Sequence, residues 1–363
     1  MSDLPIPATA EALTPDWLTA ALRSSGHLDA DGWVTGVDVR PVGTGQMGAA
    51  VRLTLRYDGA AGAPATLIAK VPAVDETSRA TARALRSYER EVRFYQQLAS
   101  RLPVRTPRAF YADVDAETAD MVLLLEDLSP AQPGDQLAGC SVVMAHGAVD
   151  ELVKLHAPRW GDPALADLEW LHRDRAANRR FLQALLPELW QGFRQRYDGE
   201  LGPDVHHAGE ALFGDLEAYL LADTEPWTIV HGDYRLDNLL FSSGPAGQVA
   251  VAVVDWQTCA HGPGLADVAY FIGAGLSADD RRAAEWDLVR GYHGGLLGAG
   301  VDGYDWDRCW HDYRRGTWSG LIMAVAASML VERTPRGDLM FLAMASRHAR
   351  HALDLDATAV IGS

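Results

Sequence analysis

The chain has 363 residues, a hydrophobic content of 48% and a formal net charge of −17 at pH 7. The apolar content is typical of a soluble globular protein, and the length predicts one large two-lobed domain or two domains. The acidic balance argues against nucleic acids and anionic membrane surfaces as partners, because both are bound mainly through basic patches.

The cysteines and the apolar segments predict a cytoplasmic protein. Cys140, Cys259 and Cys309 are far apart and form no paired motif, which argues against a disulfide framework or a zinc site. The N-terminus contains prolines and acidic residues but no apolar run, unlike a signal peptide. The longest apolar stretch, 320–331, is shorter than the roughly 20 residues that span a bilayer and predicts a buried helix. The sequence leaves the oligomeric state open.

The N-terminal third predicts a sheet that carries one main helix. Thr14 and Pro15, with Gly26 as the stop, predict a capped leading helix over 14–25. From Trp33 onward, short runs rich in Val, Thr and Leu alternate with Gly-rich turns and predict five antiparallel strands. A helix is expected over roughly 77–100, between the third and fourth strands.

The remaining two thirds predict a mostly helical lobe. A Pro/Gly-rich connector precedes expected helices at 141–157, 174–197 and 205–222, and helix with turns follows from about 278. A small β element is expected at 238–256. The class is therefore α+β, with a β-rich N-terminal lobe at 1–126 and an α-rich C-terminal lobe at 127–363. Clefts between two such lobes commonly bind ligands.

A glycine-rich motif follows the first predicted strand. Gly43, Gly45 and Gly48 have the GxGxxG spacing, which alone is weak evidence for a nucleotide site. A dinucleotide fingerprint must open a helix, whereas this motif is followed by a strand-like run. A strand, a glycine loop and a second strand are the arrangement that covers phosphates in kinases. A hairpin turn without a ligand is the alternative.

Lys70 and Glu91 form a predicted ion pair. Lys70 lies inside an apolar strand, where an ammonium group is costly without a partner, unless it reaches solvent at the strand edge. Glu91 falls on the apolar stripe of the next helix, whereas Glu89 lies on the other side and is expected to be solvated. A lysine held by a helix glutamate binds the phosphates in kinases.

The segment HGDYRLDN, residues 231–238, carries the strongest chemical signal. The run VAVAVVDW follows it, and a turn centred near 246–247 would pair Leu240 with Val253 and Asn238 with Asp255. An amide and a carboxylate oxygen side by side would suit Mg²⁺. Asp233 would remain free to meet a substrate hydroxyl.

Each of these three polar residues also has a structural interpretation. Asp233 could cap a turn, Asn238 could start a strand, and Asp255 could be a buried acid satisfied by the backbone. Their joint occurrence after the glycine motif and the Lys–Glu pair, in kinase order, favours function. A metal hydrolase is disfavoured because the chain has no HExxH and no segment rich in both His and Asp.

The segments HGDYRLDNLLF, VAVVDWQ and GPGLADVAYF together resemble the aminoglycoside phosphotransferase/choline kinase superfamily, which has a protein-kinase-like bilobal fold. The branch that looks most similar contains the bacterial ecdysteroid-kinase-like proteins. The resemblance extends from Trp33 into the C-terminal helices. It implies an ATP- and Mg²⁺-dependent transfer of phosphate to the hydroxyl of a small molecule.

The resemblance also implies a role for each matched residue. Asp233 would be the base, Asn238 and Asp255 the magnesium ligands, Lys70 the phosphate clamp with Glu91 as its partner. The hinge that meets adenine would lie at 124–128, with Glu126 and Leu128 as its contacts. Arg235 could neutralise the transferring phosphoryl group or instead bind Asp237. Asp267 and His156 are expected to be structural.

The family pattern leaves the acceptor unidentified. Gly232 replaces the arginine of the protein-kinase HRD motif, and Asp255-Trp256-Gln257 replaces DFG, which puts activation-loop control in doubt. An aminoglycoside or other antibiotic would need an acidic acceptor pocket, and choline would favour an aromatic cage. An apolar hydroxylated acceptor and a pseudokinase that binds nucleotide without transfer are further alternatives.

Overall fold

The computed structural model describes residues 4–43, 48–59, 62–171, 174–244 and 248–363. The leading helix α1 spans Pro15–Ser24. Its N-cap is Thr14, whose hydroxyl accepts a hydrogen bond from the Trp17 N–H at 3.3 Å. Gly26 follows with φ 73°, a conformation that favours glycine and ends the helix. The predicted leading helix is therefore confirmed.

The five predicted strands form one antiparallel sheet in the order β1-β2-β3-β5-β4. Its inner face is built from aliphatic side chains such as Leu53, Leu67 and Val122, each with no exposed surface. Burial of these β-branched and leucine side chains stabilises the sheet. The strands are β1 Trp33–Pro41, β2 Gly48–Asp58, β3 Thr66–Pro72, β4 Ala109–Asp115 and β5 Asp120–Glu126.

Two helices occupy the place of the single helix predicted at 77–100. Helix α2 spans Glu76–Ala84, and helix α3 spans Ser87–Gln97. The break falls at Arg86, which has a left-handed backbone with φ 54°, so the helical hydrogen-bond ladder cannot continue through it. The sequence did not report this break, because residues 76–86 contain neither glycine nor proline.

The helices of the second half follow the prediction with two differences: one predicted helix is split, and a helix at Gly264–Gly275 was not predicted. Residues 205–222 form two helices instead of one, with Asp215 between them at φ −107°. The helices are α4 Val142–His156, α5 Arg175–Arg196, α6 Pro203–Gly214, α7 Leu216–Leu221, α8 Gly264–Gly275, α9 Ala278–Gly298, α10 Trp306–Leu330 and α11 Pro335–Asp354.

Two small sheets accompany these helices. The first has the order β6-β8-β9, and its strands are β6 Gln132–Pro133, β8 Leu239–Ser243 and β9 Val249–Val253. The second consists of two paired strands, β7 Thr228–Val230 and β10 Ala260–Gly262. The predicted hairpin therefore forms.

The predicted register of that hairpin is wrong by one residue. Leu239 pairs with Val253, and Leu240 with Ala252. The Gly244 N–H donates to the Gln248 carbonyl at 2.6 Å, so three residues separate the closing pair instead of an even number. Asn238 consequently meets Val254, whose N–H donates to the Asn238 carbonyl at 3.0 Å. Asp255 is one residue further along the chain.

The apolar stretch 320–331 forms the buried end of α10, as predicted. Leu321, Ala324 and Val325 have no exposed surface. In the part of the chain that the structure describes, no helix combines the length and hydropathy needed to cross a bilayer.

The chain divides into two compact units. The first contains 1–101, 106–130 and 255–258, and the second contains 102–105, 131–254 and 259–363. The predicted lobes, 1–126 and 127–363, are contiguous, whereas the first unit includes a short segment from late in the chain. The predicted α+β class with a five-stranded antiparallel sheet is confirmed.

Candidate active site

Strands flank the glycine motif, since β1 ends at Pro41 and β2 begins at Gly48, while 44–47 lie outside the described residues. Gly43 has φ 74°, which favours glycine. Gly48 begins β2 opposite Pro72, and a Cβ there would approach the Val71 carbonyl to 3.3 Å. Gly45 lies outside the described residues. Phosphate binding by this loop stays a prediction.

Lys70 of β3 contacts two carboxylates within the first unit. Its Nζ is 2.6 Å from Glu91 Oε1 and 3.0 Å from Asp255 Oδ1. The predicted pairing of Lys70 with Glu91 is confirmed, and Glu91 is only 1% exposed. Asp255 was not foreseen as a second partner, since 185 residues separate it from Lys70.

The two carboxylates keep this lysine protonated. Burial by itself lowers the pKa of Lys70, but the charges of Asp255 and Glu91 outweigh burial and raise that pKa above its ordinary value. Burial also raises the pKa of Glu91, against the opposing charge of Lys70. Lys70 therefore carries a positive charge beside two acidic groups, and its role as a phosphate clamp stays a prediction.

An aromatic stack fixes the segment that carries Asp255. The Trp256 ring lies 3.8 Å from the Phe94 ring at an interplanar angle of 7°. Phe94 belongs to α3, the helix that also carries Glu91, and both rings are fully buried. The Gln257 side-chain amide donates to Asp255 Oδ2 at 3.2 Å. Packing and hydrogen bonds thus set the position of the Asp255 carboxylate.

In the second unit, Asp267 shapes the loop that precedes Asp233. Asp267 accepts the N–H groups of His231 at 2.6 Å and of Gly232 at 2.9 Å. Gly232 has φ 80°, which favours glycine and turns the chain toward Asp233. The buried His156 ring bonds Tyr292 at 2.7 Å and lies 3.4 Å from Asp267. The predicted structural roles of Asp267 and His156 agree with these contacts.

The Asp233 carboxylate accepts hydrogen bonds from three side chains. Tyr270 donates to Oδ1 at 2.7 Å. Asn238 Nδ2 and Arg235 Nε donate to Oδ2 at 3.0 and 3.1 Å. Asn238 Nδ2 also donates to the Asp233 main-chain carbonyl at 2.9 Å, so its amide oxygen is directed away from Asp233.

Arg235 binds Asp237, as one of the two interpretations drawn from the sequence expects, whereas neutralisation of the transferring phosphoryl group stays a prediction. It contacts Asp233 and also Asp237. Burial lowers its pKa, but Asp233 and other neighbouring groups raise the pKa of Arg235 above its ordinary value overall. Asp237 accepts the Gln136 N–H as well, and its pKa is lowered because Arg235 and this N–H outweigh burial.

The predicted hinge, 124–128, comprises the last three residues of β5 and the two residues after it. The Glu126 N–H donates to the Arg108 carbonyl at 2.8 Å, and its carboxylate accepts the Arg108 N–H at 3.0 Å. Leu128 is partly exposed beyond the end of the strand. Because the Glu126 N–H is engaged, adenine contacts would need other hinge groups, and this assignment stays a prediction.

Comparison with known proteins identifies the family. The sequence model described as "Phosphotransferase enzyme family" matches residues 48–310, more than half of the chain. The chain belongs to this family. The match includes Lys70, Glu91, Asp233, Asn238 and Asp255. It confirms the superfamily resemblance, while the proposed nearness to ecdysteroid-kinase-like members stays a prediction.

Solved structures confirm the protein-kinase-like fold. A microcompartment-associated aminopropanol kinase matches with a TM-score of 0.55 and 16% identity, over 94% of this chain and 99% of that chain. The choline kinase of Cryptosporidium parvum matches with a TM-score of 0.52 and 11% identity, over 88% of this chain and 89% of that chain. At these identities the likeness concerns the fold.

A curated relative matches over a short segment. Acyl-CoA dehydrogenase family member 11 of Gallus gallus is 33% identical over 78 residues, which are 22% of this chain and 10% of that protein. The chain thus corresponds to a small part of that relative.

Sequence reasoning missed Tyr270 at this site. Tyr270 follows Asp267 by three residues on α8, and residues at that spacing share a helix face. That Asp267 holds the loop of Asp233 is known only from the structure, so this spacing alone could not have identified Tyr270.

Proposed function

We propose that this phosphotransferase-family member transfers the γ-phosphate of ATP to a hydroxyl group of a small molecule. The observation that carries the proposal is the Asp233 carboxylate in the HGDxxxxN loop of a family member. It is oriented by Arg235 and Asn238 from that loop and by Tyr270 from α8. Such a carboxylate can accept a hydrogen bond from a hydroxyl nucleophile and take up its proton.

The first unit supplies the groups that would bind the nucleotide phosphates. Lys70 is held by Glu91 and Asp255, whose charges raise its pKa above its ordinary value. In phosphoryl transfer, catalysis rests on positioning and charge neutralisation. Gly43, Gly45 and Gly48 would cover the phosphates, and Glu126 and Leu128 would lie near adenine.

We propose Asn238 and Asp255 as the magnesium ligands. Their donor atoms fit the ion, because amide and carboxylate oxygens are hard ligands and Mg²⁺ binds few protein groups beside phosphate oxygens and water. The Asn238 amide oxygen is directed away from Asp233, and Asp255 directly follows Val254, which bonds the Asn238 backbone. A bound Mg²⁺ would neutralise phosphate charge. Arg235 would hold the Asp233 carboxylate in place from within its own loop.

The decisive experiment replaces the base. We expect Asp233→Asn to lower turnover by roughly 10²- to 10⁴-fold, the usual contribution of general base catalysis, while nucleotide binding stays near wild type. Turnover is measured by ADP release and nucleotide affinity by titration. The exposed Asp279→Asn on α9 is the matched control and should retain wild-type turnover. Normal turnover in Asp233→Asn would rule out the assignment.

A panel of acceptors distinguishes the substrate classes. ADP release is measured with aminoglycosides, macrolides, choline, other amino alcohols and sterols. The two solved structures named above are an aminopropanol kinase and a choline kinase, so choline and amino alcohols are the first acceptors to test. Nucleotide binding without ADP release for any hydroxyl compound would favour a pseudokinase, which the intact set of Lys70, Glu91, Asp233, Asn238 and Asp255 argues against.

A further inference from the structure

Tyr270 makes a direct hydrogen bond to the proposed base. It lies on α8 with 4% of its surface exposed, and its hydroxyl donates to Asp233 Oδ1 at 2.7 Å. Oδ2 of the same carboxylate is held by Asn238 and Arg235. The tyrosine therefore holds the carboxylate oxygen that the loop residues do not.

The phenol remains a donor at neutral pH. Burial raises the pKa of Tyr270 well above its ordinary value, the charge of Asp233 adds to this rise, and Asp267 contributes further, whereas Arg235 opposes it. A protonated phenol has one O–H, and the carboxylate is its acceptor. The direction of the bond is thereby fixed.

An aromatic platform holds the Tyr270 ring. The ring stacks on His348 of α11, with centroids 5.3 Å apart and an interplanar angle of 10°. His348 is fully buried, and among the described residues neither of its ring nitrogens has a hydrogen-bond partner. Burial lowers the pKa of His348 well below its ordinary value and keeps the ring neutral. The ring therefore supports Tyr270 by packing and not by charge.

Two glycines make room for that platform. A Cβ at Gly320 would approach His348 Cε1 to 2.1 Å, and a Cβ at Gly273 would approach His348 Nδ1 to 2.8 Å. Neither approach is tolerable without displacement of the ring. The glycines thus leave space for the His348 ring, Tyr270 stacks on that ring, and the Tyr270 hydroxyl bonds the Asp233 carboxylate.

We propose that Tyr270 is a positioning residue for the base Asp233. A carboxylate turns easily about its last side-chain torsion, and a bond to Oδ1 from α8 complements the bonds to Oδ2 from the loop. Tyr270 acts through Asp233 and need not touch the acceptor. The inference rests on the proposed kinase function and names a residue on which the turnover rate of that reaction depends.

The test removes only the hydroxyl. Tyr270→Phe keeps the ring on His348, so we expect kcat to fall about tenfold to a hundredfold, in line with the roughly 10²-fold cost of a 1 Å misplacement. The KM values for ATP and acceptor should change less than twofold. Tyr313→Phe is the matched control, because Tyr313 is also fully buried and donates to a carboxylate, that of Glu285, at 2.8 Å.

A second variant tests the same role independently, in case Tyr270→Phe fails to fold. His348→Ala removes the platform without touching Asp233, and it should also lower kcat more than KM. Thermal midpoints and nucleotide titration verify folding of every variant. Tyr270→Phe with the kcat of Tyr313→Phe, or with a raised KM and normal kcat, would overturn the positioning role alone. A wild-type protein that is inactive with every acceptor would overturn the kinase function as well.

Discussion

Asp255 has a backbone conformation that is uncommon for a residue with a side chain. Its φ is 69°, in the left-handed region that aspartate tolerates better than most residues. Residues in this region cost free energy and persist where surrounding contacts fix them, often at functional sites. Here the bonds to Lys70 and Gln257 fix the carboxylate. The conformation turns the side chain toward β3 directly after the chain leaves β9.

Lys70 has a structural and a functional role that mutation can separate. Lys70→Met leaves Glu91 buried without its cation, which should lower the free energy of unfolding by about 3–5 kcal/mol. Adding Glu91→Gln removes the stranded charge and should restore part of that stability. Nucleotide affinity should remain low in both variants, because the phosphate clamp is absent. Denaturant unfolding and nucleotide titration measure the two effects, and recovery of affinity in the double variant would contradict the clamp.

At the scale of elements, local signals were predictable and long-range ones were not. The capped helix α1 and the pairing of Lys70 with Glu91 follow from caps and periodicity over a few turns. The register of β8 and β9 depends on how the turn closes, and an odd number of turn residues shifts every pair by one. The bond from Tyr270 to Asp233 depends on how α8 packs, which spacing alone does not give.

Helix α3 supports the segment that contains Asp255, because Trp256 of that segment stacks on Phe94 of α3. Trp256→Ala should cost about 3–5 kcal/mol through the cavity it leaves. It should also weaken the Mg²⁺ dependence of nucleotide binding, because Asp255 loses its support. Trp318→Ala is the matched control, since Trp318 is equally buried on α10. Equal Mg²⁺ dependence in both variants, measured by titration with and without the ion, would refute the link.

At the scale of the whole molecule, buried histidines make stability depend on pH. Burial lowers the pKa of His348 well below its ordinary value, and the nearby His351, Arg347 and Arg281 lower it further. Such a group binds more protons in the unfolded chain. Its stabilisation is therefore present above about pH 6.5 and is lost as pH falls below that value.

The thermal midpoint of the wild-type protein should therefore decrease as the pH is lowered from about 7.5 to about 5.5. His348→Phe should make stability depend less on pH. The slope of the unfolding free energy against pH should decrease by up to about 1.4 kcal/mol per pH unit, the value for one proton. His207→Gln, exposed on α6, should keep the wild-type slope. Scanning calorimetry at several pH values measures the slopes. Parallel curves for the wild type and His348→Phe would show that His348 does not titrate on unfolding.

The membership of residues 255–258 in the first unit bears on how the protein is made. A polypeptide that ends at Pro130 would contain the sheet but lack the carboxylate beside Lys70 and the indole against Phe94. During translation, the contacts of the first unit with residues 255–258 can therefore form only after Thr258 has left the ribosome. Nascent chains of intermediate length carry a lysine and a phenylalanine whose partners have yet to be synthesised.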